Sequence, residues 1–459
     1  MPFVNRTTEL HYLHTLWQQQ RAQLVVLYGK RRVGKTALIR HFIQGKPSVY
    51  YLADKGSAQD QLASLGRRIG DHFHDTVLMD YGFRKWEDLF RYLREKVTTP
   101  FVLAIDEYPY LTEGDSATGS YFQKGWDEYL VDVPIYLILC GSSIAMMESE
   151  TLAYKSPLYG RRTGQLLVAP MVFEDARLFF EGWSFDAFLQ VYAVVGGMPA
   201  YLTAFQPYQE IGQAILEQVL PTTTFLHNEI PFLLREELRE PRVYMAILQA
   251  ISQGKHRQSE IANAVGMDAH GIQKYLGVLR SLRFIQRVTP VTEANPDKSK
   301  KGLYHLDDPF VRFWFLYVAT YRSELALGNR DYVLARYRDR GVHLDSHAYE
   351  TYAQEWIVRH SPFVLQRVGK WWDKSIEIDL VALNTSENII LFGEVKWSRN
   401  PVGVDILHAL KEKSTHVLWG GPNRKDRYIL FSRSGFTPDC MAAAKAGSVI
   451  LVHGDTHAF

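Results

Sequence analysis

The chain has 459 residues, 46% hydrophobic and 22% charged, a globular composition long enough for about three or four domains at roughly 100–200 residues each. Its 52 Lys and Arg against 50 Asp and Glu leave a net charge of +2, which argues against a bulk polycation and directs attention to local basic segments. Only Cys140 and Cys440 are present, no run is long and apolar enough to span a bilayer, and the start MPFVNRTTEL lacks the basic-then-apolar layout of a secretion signal. A disulfide framework and membrane insertion are therefore not expected, and a cytoplasmic setting is.

The first strong pattern is LVVLYGKRRVGKTALIRHF, Leu24 to Phe42. An apolar strand-like run enters Gly29-Lys30-Arg31-Arg32-Val33-Gly34-Lys35-Thr36-Ala37, which fits G-x-x-x-x-G-K-[ST] in the strand-then-helix context that the motif needs. Glycines there let backbone N–H groups wrap phosphates at a helix N-terminus, Lys35 reaches the β and γ oxygens, and the Thr36 hydroxyl suits Mg²⁺. ATP with Mg²⁺ is the expected ligand.

A second apolar run, FVLAIDEYPYL from Phe101, delivers Asp106 and Glu107 to the C-terminal edge of a buried strand. Asp106 suits the metal's water shell, and Glu107 suits polarising the water that attacks the γ-phosphate. In PIYLILCGSS, Ser142 and Ser143 end a third core strand, where a hydroxyl either senses the γ-phosphate or caps a helix.

The segments FVNRTTELHYL, GKRRVGKT, LAIDEY, CGSS, SPLYGRRT and GGMPAYL, in that order, resemble the archaeal-type ATPases of the AAA+ superfamily, in the branch grouped with STAND signalling ATPases. That resemblance makes an arginine pair such as Arg31 and Arg32 usual in the cradle loop. It also suggests Arg161 and Arg162 as candidate cations for the γ-phosphate, by analogy with an arginine finger, with a structural ion pair as the other reading.

From about Pro170 the apolar spacing becomes helical, as in FEDARLFF and QAILEQVL, and predicts a helical lid on the nucleotide core, broken at Gly196-Gly197-Met198-Pro199. Residues 241–301 then hold ten Lys and Arg against four acids. Within them SEIANAVGMDAHGIQKYLGVLRSLRFI predicts two helices about a turn at Gly266-Met267-Asp268, a winged helix-turn-helix. Ile272, Tyr275, Leu276, Leu279 and Leu282 share one face of the second helix, leaving Gln273, Lys274 and Arg280 for DNA, with Lys298 and Lys300 in a wing tip EANPDKSKKG. A protein–protein spacer is the other use of such a module.

YHLDDPFVRFWFLYV, Tyr304 to Val318, resembles the start of the uncharacterised domain that follows the ATPase in this family. Further on, SIEIDLVALNTSENIILFGEVKWS predicts a hairpin centred between Ser386 and Glu387. Asp379 then lies opposite Glu394 and Glu377 opposite Lys396, so Asp379, Glu394 and Lys396 share one sheet face. Two carboxylates suit Mg²⁺ or Mn²⁺, and a lysine suits a water attacking a phosphodiester. The spacing D-x14-E-x-K resembles the core of the PD-(D/E)xK restriction-endonuclease-like fold, and that resemblance suggests Glu350 as a further acid. A Glu377–Lys396 salt bridge in a non-cutting domain is the alternative.

The expected fold is thus α/β: a P-loop NTPase (AAA+-like) core over residues 1–165, a helical lid over 166–238, a winged helix-turn-helix over 239–318 and a C-terminal α/β restriction-endonuclease-like domain over 319–459. The expected function is an Mg²⁺-dependent ATPase acting on nucleic acid, with DNA as partner, no membrane, homo-oligomerisation open, and a metal-dependent nuclease site. The alternative is an ATP-switched, STAND-like signalling or transcription-regulatory scaffold whose last domain is catalytically silent.

Overall fold

The structure is a computed structural model that describes residues 3–238 and 240–457. It divides into two compact units, one ending at Pro170 and one beginning at Met171.

The first unit is built on five strands, β1 (Gln23–Tyr28), β2 (Ser48–Leu52), β3 (Phe101–Asp106), β4 (Ile135–Gly141) and β5 (Gly164–Leu167), in the order β2-β3-β4-β1-β5. All four pairings are parallel. Every residue of β3 and β4 is buried, as expected of central strands covered on both faces, which is why these segments read as unbroken apolar runs. Leu24, Val26, Leu103, Ile105, Leu137 and Leu139 from the three middle strands meet Leu62, Leu65, Phe90 and Phe122 in one core. A parallel sheet gathers the C-terminal ends of its strands along one edge, and that edge receives Gly29, Asp106, Glu107 and Ser142.

The second unit begins with helices between Phe173 and Glu237. The Gly196-Gly197 break is a helix stop: Gly196 ends the helix Phe185–Val195 at φ +61°, Gly197 accepts the Met171 N–H at 2.8 Å, and Pro199 opens the next helix. A Cβ on Gly197 would lie 1.7 Å from the Met171 carbonyl oxygen, so only glycine fits. The expected boundary between 238 and 239 abuts Arg239, which lies outside the described residues.

Three helices follow, Pro241–Ser252, Gln258–Val265 and Gly271–Ser281, then the antiparallel pair β6 (Ile285–Val288) and β7 (Leu303–Leu306). Gly266, left-handed at φ +70°, caps the middle helix, and Asp268 Oδ1 accepts the His270 and Gly271 N–H groups at 2.9 and 2.8 Å to start the third.

The last part carries a six-stranded sheet of β8 (Arg367–Asp373), β9 (Ile376–Asn384), β10 (Ile389–Lys396), β11 (Lys425–Ser432), β12 (Ile450–His453) and β13 (Thr456–His457), ordered β13-β12-β11-β10-β9-β8. β10, β11 and β12 run parallel and the other pairs antiparallel. The β9–β10 pairs run from Ile389 with Asn384 to Gly393 with Leu380, the expected register, and end one residue short of Asp379 and Glu394. Among the described residues no helix is long and apolar enough to cross a membrane.

Candidate functional sites

The loop after β1 is shaped by what a side chain cannot do. Gly29 sits at φ +154°, and a Cβ there would lie 2.3 Å from the Val168 carbonyl oxygen; Gly34, at φ +97°, caps the helix Lys35–Ile43. Lys35 is 6% exposed and its Nζ donates to the carbonyls of Gly29 (2.9 Å) and Lys30 (3.0 Å), which folds the loop around the ammonium. Burial lowers the Lys35 pKa, opposed in turn by Cys140, Glu107 and Asp106. Val33 is buried, whereas Arg32, Thr36 and Ala37 are exposed on the loop and first turn.

Asp106 is 1% exposed and fully engaged. Its Oδ2 accepts from the Thr36 hydroxyl (2.6 Å) and the Tyr50 hydroxyl (2.8 Å), and Oδ1 accepts the Glu107 N–H (3.0 Å). Burial and then Asp106 raise the Tyr50 pKa, so its hydroxyl keeps its proton. A hydroxyl and a carboxylate 2.6 Å apart beside a phosphate cradle are hard oxygen donors of the kind Mg²⁺ takes, so these residues fit that ion. Glu107 adopts left-handed backbone at φ +54°, and its Oε2 accepts from Ser142 Oγ (2.9 Å) and Ser142 N–H (3.2 Å). The two serines divide their roles: Ser142 holds Glu107, while Ser143 caps the helix Ile144–Met147.

The arginines have other partners. Arg31 donates to the Tyr110 hydroxyl at 3.0 Å. Arg161 grips both carboxylate oxygens of Asp127 at 2.9–3.0 Å, and Arg162 donates to the carbonyls of Thr151 and Leu152 at 3.2 and 3.1 Å. Both therefore serve structural bonds in this conformation. Arg6, which motif reading passed over, is 8% exposed and ties the N-terminal segment to the cradle, donating to the carbonyls of Val33 (2.9 Å) and Ala169 (2.8 Å).

In the second unit the hairpin brings together the expected acids and Lys396 with a second lysine, Lys413, that the spacing did not indicate. Glu394 has a side chain only 6% exposed; its Oε1 accepts from Lys396 at 2.7 Å, and Lys413, from the helix Val404–Thr415, reaches both oxygens at 3.0 and 3.1 Å. Asp379 Oδ2 accepts the Val395 N–H at 3.0 Å. Burial and then the Glu394 carboxylate push the Asp379 pKa up, against the pull of that N–H. Burial alone would lower the Lys396 pKa, but its bond to Glu394 raises it.

Glu350, on the helix Val342–His360, pairs with Lys370 at 2.7 Å. The Glu377–Lys396 bridge is a correction: Glu377 faces Trp372 across β8 and reaches Lys370 at 3.3 Å, while Lys396 bends back to Glu394. The lone edge contact loses to a buried acceptor two residues away on the same face. Among the described residues no group of three or more His, Cys, Asp or Glu is arranged to hold a metal ion.

On the helix Gly271–Ser281 the apolar positions Ile272, Leu276 and Leu279 are buried, and Gln273, Lys274, Gly277 and Arg280 are exposed together. Lys298 and Lys300 are exposed in the β6–β7 loop, but the base of that loop is fastened to β8 by Val291 N–H to the Lys370 carbonyl (2.9 Å), Arg367 to the Glu293 carbonyl (2.7 Å) and Lys301 to Asp373 (3.1 Å).

Comparison with known proteins places this geometry. Residues 3–205 match the family described as an ATPase domain predominantly from Archaea, residues 187–312 match a domain of unknown function, DUF8612, and residues 314–415 match a family of archaeal and bacterial proteins of unknown function. The protein of Methanocaldococcus jannaschii called uncharacterized protein MJECL04 is 34% identical over 401 residues, 86% of this chain and 87% of that one. Its uncharacterized ATP-binding protein MJ0423 is 52% identical over 44 residues, 10% of this chain and 75% of that one. Among solved structures, the Walker-type ATPase PABY2304 of Pyrococcus abyssi shares the fold at a TM-score of 0.52 and 22% identity, covering 68% of this chain and 96% of that one. With this identity along nearly the whole of MJECL04 and the cradle Gly29–Thr36 in place, the chain belongs to the archaeal-type family of ATP-binding P-loop ATPases.

Proposed function

We propose that the chain hydrolyses ATP with Mg²⁺ in its first unit and uses its second unit on nucleic acid. The observation that carries the hydrolytic reading is the pairing at the sheet edge: Asp106 bound to Thr36, and next to it a Glu107 carboxylate held by Ser142. Thr36 and Asp106 would hold Mg²⁺, which offsets phosphate charge when bound. Gly29–Thr36 amides and Lys35 bind the phosphates, and Glu107 accepts a proton from the attacking water. Both Ser142 bonds fall on Oε2, and Oε1 is the oxygen that would take the water's proton.

Support for nucleic acid comes from the helix Gly271–Ser281 and its neighbours. Three helices followed by a two-stranded antiparallel pair have the order of a winged helix, and the exposed face of the third helix carries amide and cationic side chains of the kinds that meet base edges and phosphates. The loop anchored to β8 makes the wing one piece with the last sheet. A second reading, metal-dependent phosphodiester cleavage in that sheet, is favoured by Asp379 and Glu394 lying just past the end of the β9–β10 pairing, where each feels the other's charge, beside Lys396. Glu394 already carries two ammonium groups, so an ion there must first displace Lys413.

The test is ATP turnover with and without duplex DNA, together with incubation of plasmid, linear and single-stranded DNA with Mg²⁺ or Mn²⁺. DNA-stimulated turnover supports the first reading, and cleavage lost in Asp379→Ala supports the second. Slow turnover indifferent to DNA, with no cleavage, would leave the ATP-switched scaffold as the better account.

A further inference from the structure

Tyr50 stands outside every motif of the family pattern, yet its hydroxyl shares one oxygen with the proposed metal-binding threonine. It lies on the edge strand β2, paired in register with Ala104 of β3, two residues before Asp106. The hydroxyl donates to Asp106 Oδ2 at 2.8 Å, and Thr36 donates to that same oxygen at 2.6 Å. Glu107 N–H holds the other oxygen at 3.0 Å, so the carboxylate is fixed by three donors. The Tyr50 ring is in turn covered by the Arg40 guanidinium, 5.1 Å from its centroid and on the same helix as Lys35 and Thr36.

We propose that Tyr50 is a positioning residue for the metal-bound nucleotide, acting through Asp106; the inference rests on the reading of Thr36 and Asp106 as the Mg²⁺ site. When Thr36 turns a lone pair to an ion, its O–H can still donate to Asp106, but the rotation of the hydroxyl is then shared between two partners and no longer serves the carboxylate alone. Among the described residues the Tyr50 hydroxyl donates to Asp106 and to no atom of Gly29–Thr36, so this bond does not require nucleotide. It keeps Oδ2 aimed while Thr36 takes on a second partner, which is the preorganisation that a water-mediated metal contact needs.

Tyr50→Phe removes the hydroxyl and keeps the ring and its cation contact, so folding should be preserved, and a thermal melt checks this. In the slow-hydrolysing Glu107→Gln background, nucleotide affinity is measured by fluorescence titration with Mg²⁺ and with EDTA. Losing one charge-assisted bond to a buried carboxylate should raise the Mg²⁺ needed for half-maximal binding about five- to thirty-fold and leave EDTA affinity unchanged. An unchanged Mg²⁺ requirement overturns the proposal, as does an equal loss with and without Mg²⁺, which would mean general support of the loop. If Mg²⁺ does not affect nucleotide binding even with Tyr50 intact, the metal assignment itself falls, and this inference with it.

Discussion

Replacing Glu355 with glutamine should change how the stability of the second unit depends on pH. Glu355 lies on the helix Val342–His360, where its oxygens accept the Phe173 N–H at 2.7 Å and the Tyr192 hydroxyl at 3.0 Å. Burial dominates these bonds and pushes its pKa from 4.5 to about 7. The folded chain thus holds this proton more tightly than the unfolded chain. The resulting stability is fully present below about pH 4.5 and is lost as pH rises through about 7.

A shift of that size corresponds to about 3 kcal/mol in all, of which about 2 kcal/mol disappears between roughly pH 5.5 and 8.5. Glutamine does not titrate but offers one acceptor oxygen where two donors converge, at a cost of about 1 kcal/mol. Glu355→Gln should therefore match the parent near pH 5.5 and be more stable by about 2 kcal/mol near pH 8.5. Urea unfolding followed by circular dichroism, reading the transition of the second unit, measures this. If the difference between the two proteins stays constant across that window, Glu355 does not carry a raised pKa.

Three further outcomes are expected. Lys35→Ala should lower ATP affinity at least about tenfold, since an ammonium buried against the cradle loses its charge-assisted bonds; equilibrium binding of labelled nucleotide reads it. Lys274→Glu with Arg280→Glu should weaken duplex binding and reduce its salt slope by about one unit per lost phosphate contact, whereas unchanged binding across a salt series would point to a protein partner. Lys413→Met should tighten Mn²⁺ binding at Asp379 and Glu394 by freeing a carboxylate; nucleotide-free titration, with Asp379→Ala as the blank, would count against the metal reading if neither protein binds the ion.

The cradle, the strands that end in Asp106 and Ser142, and the β9–β10 register were legible because each is a local pattern: a glycine spacing, an apolar run, an alternation about a polar turn. The helix Gly271–Ser281 was legible for the same reason, since Ile272, Leu276 and Leu279 recur at helical spacing and leave Lys274 and Arg280 outside. What stayed hidden were partners supplied across the fold. Arg6 reaches Val33, Tyr50 reaches Asp106, and Lys413 reaches Glu394, over 27, 56 and 19 residues. No short-range spacing encodes such meetings; only sheet order and helix packing create them. Arg161 is the converse case, a residue for which family resemblance suggested phosphate and a structural ion pair was the other reading, and whose guanidinium meets Asp127 in this conformation.

The central claim is that this cradle turns over ATP through Glu107. Single-turnover hydrolysis of labelled ATP with Mg²⁺, alongside nucleotide affinity, for the parent chain and Glu107→Gln tests it most directly. The account predicts that the parent hydrolyses ATP, while Glu107→Gln binds it within about threefold of the parent and turns over at least about a hundredfold more slowly, the scale of a lost general base. Equal turnover in the two proteins, or a parent chain that binds ATP and never cleaves it, would contradict the account.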